Sequence, residues 1–163
     1  MNHEELTNQI LAAWHRHNDI LLYLLNEISK EGLLAKPTGS RGRDVAHQFA
    51  HLNRVRLGWL HYHATGKRPK LERFEKGEII SKTHLRKALQ ESGKEVANFL
   101  NQALSGKIRP KLFGKNAIRW MSYLIAHESH HRGQILLALK QTGIRIPEKV
   151  AVQGIWGKWI FGK

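Results

Sequence analysis

Residues 127 to 131 read His-Glu-Ser-His-His, which puts two imidazoles four positions apart with a carboxylate beside the first. On a helix, side chains at i and i+4 stand one above the other on the same face. His127 and His131 can therefore offer nitrogen ligands to a single ion. Read literally, the five letters match H-E-x-x-H, in which two zinc ligands share a helical turn with a glutamate base. A metallopeptidase of that kind takes its third ligand downstream, but position 137 is Leu and Glu148 lies beyond Gly143 and Pro147, which stop the helix. No strand pattern precedes the helix to bind an extended substrate, so the sequence argues against the peptidase.

A wheel drawn at about 100° per residue puts Trp120, Leu124, His127, His131 and Ala138 in one narrow arc, with Ile135 at its edge. Two imidazoles in register on an apolar face each need a partner for a second ring nitrogen. One ion satisfies both. Three protein ligands with an open position are the arrangement of a catalytic metal site, and a second helix offers His47 and His51. His51 lies beside Val55 at the margin of that helix's apolar arc, whereas His47 is further round toward solvent, so His51 is the expected third ligand. His15, His17, His61, His63, His84 and His130 have no evident partner, and solvent-facing or edge positions are expected for them. Glu128 is a weak candidate for a proton carrier, and an i, i+4 pair with Arg132 is the simpler expectation.

The elements that must position these residues read as helices. Leu6, Ile10, Trp14, Leu21, Leu24, Leu25 and Ile28 recur at helical spacing from about residue 3 to 29. A second helix runs from about Asp44 to Ala64, with Val45, Phe49, Leu52, Val55, Trp59 and Leu60 toward the core. A third runs from about Ser81 to Ala103, and a fourth from about Ala117 to Gln141. The segment from Lys67 to Ile80 reads as a polar loop. The pattern predicts an all-α, up-and-down four-helix bundle forming one domain over residues 1–163. The tail VAVQGIWGKWIFGK is apolar but broken by glycines, and is expected to pack across the bundle or a partner subunit.

The chain has 163 residues and no cysteine, which excludes disulfide frameworks, thiolate metal sites and a cysteine nucleophile. MNHEELTNQI carries acidic residues where a secretory signal has a basic region, and no apolar run approaches the ~20 residues of a membrane span. A cytoplasmic, membrane-free protein is expected. The formal net charge of +14, from 27 basic and 13 acidic side chains, keeps a nucleic-acid partner in view. The basic residues are spread along the chain and do not form one block with interleaved aromatics.

The string His127-Glu128-Ser129-His130-His131-Arg132-Gly133-Gln134-Ile135, followed by Leu139, Gly143 and Pro147, closely resembles the fourth helix of the DinB-like (DinB/YfiT) superfamily, a damage-inducible group linked to stress responses. His51-Leu52 with Trp59-Leu60 resembles that family's second helix, and Trp14, Asn18 and Leu21-Leu22 its first. The resemblance spans nearly the whole chain. It implies a four-helix bundle with a divalent metal, often zinc or nickel, on one histidine of the second helix and the two of H-x-x-x-H, here His51, His127 and His131. It further implies a homodimer and a small-molecule substrate. Several relatives are thiol S-transferases using a low-molecular-weight thiol such as bacillithiol or mycothiol, and others are isomerases. The leading expectation is a metal-dependent thiol transferase or hydrolase acting on a small electrophile. The alternative is a basic nucleic-acid-binding protein with a structural metal or none.

Overall fold

The computed structural model describes residues 2–71, 74 and 78–162. The chain is all-α, with no strand among the described residues. Four long helices carry the fold: α1 (His3–Glu27), α3 (Val45–Thr65), α4 (Lys82–Leu104) and α5 (Ala117–Gln141). A short α2 (Lys30–Leu33) follows α1, and a single 3-10 turn (Phe113–Lys115) precedes α5. Each long helix begins where a short polar side chain can accept an amide left open by the first turn. Asn2 and Glu5 form a reciprocal capping box, while Asp44, Ser81 and Asn116 accept from His47, His84 and Arg119 amides. Gly66, at φ 76°, ends α3 in the left-handed conformation that lacks a Cβ penalty. The sequence boundaries fall within a residue or two of these ends. Of the expected loop from Lys67 to Ile80, residues 72, 73 and 75–77 lie outside the described residues.

Helix direction departs from the alternation expected of an up-and-down bundle. The Lys82 ammonium at the start of α4 donates to the Asn26 carbonyl at the end of α1 (3.0 Å), and the Val45 amide at the start of α3 donates to the Ala35 carbonyl just beyond α2 (3.0 Å). At the opposite end, His63 late in α3 stacks on Phe99 late in α4, and both rings meet Trp120 early in α5. Helices α3 and α4 thus run the same way, against α1 and α5. The connection from Gly66 to Ser81 makes this possible. A 21-residue helix is about 31 Å long, well within reach of sixteen extended residues at roughly 3.3 Å each.

Two apolar clusters fill the interior. One includes Leu21, Leu24, Phe49, Leu52, Leu89, Ile135 and Leu139, and the other Trp14, Val96, Leu100, Trp120 and Leu124. Between them on every long helix sits a buried polar side chain: His17 and Asn18 on α1, Arg56 on α3, Ser92 on α4 and Glu128 on α5. The tail is helical, as a π-helical stretch (Val150–Trp156) followed by α6 (Gly157–Phe161). It packs on α1, with Ile155 buried in the first cluster and the Arg16 guanidinium donating to the Gly162 carbonyl (2.7 Å). Leu6, expected in the core, is 42% exposed because the first turns of α1 extend past its neighbours' cover. No described helix is long and apolar enough to cross a membrane.

The contact between α1 and α4 is close enough to test. Trp14 Nε1 donates to the Gly93 carbonyl (2.9 Å), and a Cβ at position 93 would lie 2.6 Å from Asn18 Oδ1, the oxygen that accepts from Arg56 Nη1 (2.8 Å). Gly93→Ala should therefore displace Asn18 and cost about 1–3 kcal/mol in urea unfolding; a variant as stable as the parent would show that the helices can part without loss.

Candidate metal centre

Helix α3 presents its histidines from a fixed start. Asp44 Oδ1 accepts the His47 amide (2.8 Å) and meets His47 Nδ1 (2.7 Å), so the ring of His47 is held at the helix cap. One turn further, His51 faces α5. There His127 and His131 meet it, with ring centroids 5.4 and 4.9 Å from that of His51 and 4.7 Å from each other. One nitrogen from each of the three rings lies within 4.8 Å of the others. The helical wheel puts His127 and His131 within one apolar arc and His51 only at the margin of another; the structure brings all three together and leaves His47 out.

The donor atoms suit a metal ion. The Nδ1 atoms of His51 and His127 are buried with no hydrogen-bond partner among the described residues, an unfavourable state for a polar atom unless something satisfies it. His131 Nδ1 is met by Gln48 Oε1 at 3.2 Å, one helical turn before His51's neighbour Leu52. A partner on one ring nitrogen orients the ring and leaves the other free to ligate. Burial, the Arg43 charge, the two neighbouring histidines and Arg54 push the pKa of His51 down to about 4. Burial, His127, His130 and Arg43 push His131 to about 4 against an opposing bond from Gln134. His127 is lowered by burial and His130, with Glu128 opposing. All three are thus neutral at pH 7, the protonation state that binds metal.

Glu128 turns away from this role. It is 1% exposed, and its carboxylate takes two bonds from Arg56, from Nε to Oε1 and from Nη2 to Oε2, each 2.7 Å, with His17 Nε2 at 2.8 Å. Burial alone would raise its pKa, but the Arg56 guanidinium and the His17 bond hold it down, to about 2. The expected hydrogen-bonded pair with Arg132 is absent, since Arg132 Nη2 donates to Ser129 Oγ (3.2 Å). Helical spacing allows the i, i+4 pair, but the buried guanidinium of Arg56 offers a two-pronged partner in a drier place. Arg56 also lies over the Trp14 ring (4.9 Å) and donates from Nη1 to the Leu89 carbonyl (3.1 Å).

Two histidines expected at edges are core residues. His17 is fully buried through its bond to Glu128. His63 is 4% exposed, enclosed by Phe99, Trp120, Trp59 and Phe113, and accepts the Lys111 amide at Nδ1 (3.2 Å). Burial, and secondarily Lys111, push its pKa down to about 4. His15, His61, His84 and His130 are exposed as expected. Arg56 and Gln48 were not singled out by sequence reasoning, and His17 was expected at an edge, yet two of the three carried a signal. Arg56 follows Phe49 and Leu52 at apolar spacing, and His17 falls between Trp14 and Leu21; basic side chains in phase with core stripes point to a buried acidic partner, here Glu128.

A cleft of about 720 Å³ opens along α3, with His47, His51 and Leu57 on its wall. It reaches the trio through His51; His127 and His131 are not on its lining. The sequence model of the DinB family matches residues 1–156. No curated protein matches the chain.

Two outcomes follow. His51, His63 and His131 all have folded pKa values below the unfolded ~6.5, so the unfolded chain binds more protons and stability present above pH ~6.5 is lost as pH falls toward 4. At pH 5 each should cost roughly 1–2 kcal/mol in the metal-free protein. Thermal unfolding in EDTA from pH 7.5 to 5 checks this, and a flat midpoint would contradict the buried neutral histidines. Glu128→Gln would leave the Arg56 guanidinium buried without a countercharge, and should destabilise by about 3–5 kcal/mol. A variant of parental stability that loses only turnover would instead give Glu128 a role in the reaction.

Proposed function

The chain belongs to the DinB family, and on that premise we propose that it is a metal-dependent enzyme of DinB-type four-helix-bundle architecture, with one divalent ion on His51, His127 and His131. The observation that carries this reading is the convergence of three neutral imidazoles from two helices, two of them with a buried nitrogen that no protein group satisfies. Imidazole donors suit zinc or nickel. Held by three uncharged ligands, such an ion would keep its full double charge and would lower the pKa of a water or thiol bound to it.

The chain's own residues supply the rest. Gln48 holds the His131 ring in one orientation, and the Arg56–Glu128 pair aligns α3 with α5 so that the three rings meet. The cleft beside His51 admits a small molecule while the packed α5 side limits water. Thiol transfer to, or hydrolysis of, a small electrophile is the reaction class that this arrangement serves. A low-molecular-weight thiol as co-substrate and a homodimer as the working unit enter the reading from the family.

Metal content of the untagged protein, measured by inductively coupled plasma mass spectrometry, should be about one ion per chain. It should fall at least tenfold in His51→Ala, His127→Ala and His131→Ala. Gln48→Leu should keep the ion but bind it roughly tenfold more weakly. Undiminished metal in all three histidine variants would sink the assignment.

A further inference from the structure

The cleft that reaches His51 is charged far beyond the protein's average. Among the described residues, Lys36, Arg41, Arg43, Arg54 and Lys70 line it against the single carboxylate of Asp44, a ratio of five to one where the whole chain has 27 basic to 13 acidic side chains. Asp44 is itself engaged, capping α3 and meeting His47. Lys36, Arg41, Arg43 and Lys70 form no ion pair among the described residues. Like charges gathered in a concave wall repel one another, and the low-dielectric surroundings focus their field into the cavity. An anion entering the cleft relieves that repulsion.

The remaining wall carries His47, His51 and Asn53 together with an apolar patch. Leu57, Leu71 and Phe74 line the same cleft, with Phe74 37% exposed. Such a patch accepts a hydrocarbon body. A cleft of about 720 Å³ is of the size that takes small ligands.

We infer that the substrate of the proposed metal centre is a small amphiphilic anion, whose carboxylate or phosphate group is held by Arg41 and Arg43, with Lys36 and Lys70 beside them, and whose apolar body lies on Leu57, Leu71 and Phe74. This rests on the metal-centre reading for the word substrate; the anion site itself is a property of the cleft. The guanidinium forks at 41 and 43 flank Gly42, and two planar donors in sequence suit an oxyanion group better than single-point ammonium contacts do.

Isothermal titration calorimetry on the full chain, zinc-loaded and EDTA-treated, in 150 mM NaCl, with hexanoate, hexyl phosphate and hexan-1-ol as probes, tests the inference. Both anions should bind at least tenfold more tightly than the alcohol in the metal-free protein, and the tighter of the two identifies the headgroup. Arg41→Gln/Arg43→Gln should abolish that preference with zinc content unchanged, while Lys107→Gln/Arg109→Gln, outside the cleft, should retain it. Equal binding of the alcohol, or equal loss in both double variants, would overturn the anion site. A single-stranded dodecanucleotide that displaces hexanoate and weakens in the Arg41/Arg43 variant would replace the small anion with nucleic acid. Zinc binding without anion preference would refute this inference and leave the metal centre standing; anion preference without zinc would do the reverse.

Discussion

The ion pair between Arg56 and Glu128 is the constraint on which the molecule's geometry depends. Both side chains are withdrawn from water, and each would be costly alone, so every low-energy arrangement must bring them together. The pair does more than join α3 to α5. Asn18 and His17 reach it from α1, and the Leu89 carbonyl reaches it from α4. Four helices that could slide along apolar stripes are pinned at one level. We attribute to this layer the specification of register, in preference to a large net gain in stability, because desolvating two charges offsets much of their attraction.

That register sets the candidate metal centre. His51 precedes Arg56 by five residues on α3, and His127 adjoins Glu128 on α5. Once the guanidinium meets the carboxylate, His51 must fall opposite His127 and His131. The site and the polar layer are neighbours with opposite tasks. In the layer, both oxygens of the Glu128 carboxylate are matched, by Arg56 and His17, so Glu128 stays ionised. At the trio, nitrogens are buried and unmatched, which leaves chemistry available to an incoming ion.

Charge is distributed in the same uneven manner. Glu128, beside the metal ligand His127 in sequence, is locked to Arg56, and Asp44, the one carboxylate on the cleft wall among the described residues, caps a helix. Neither forms an ion pair with Lys36, Arg41, Arg43 or Lys70. Part of the excess positive charge, visible only as a total in composition, thus lines the cleft beside His51.

Much of this was determined by the sequence. Apolar spacing and short polar caps specify four long helices nearly to the residue, because helix formation depends on near neighbours. The histidine pair one turn apart, and His51 at the edge of its stripe, were likewise local facts. Tertiary structure alone decided which way each helix runs, because a sixteen-residue connection permits either direction. It also decided that Glu128 joins Arg56 and passes over Arg132, that His17 and His63 lie in the core, and that Gln48 steadies His131. Each depends on groups distant in sequence meeting in a dry interior, where the nearest partner in space outweighs the nearest in the chain.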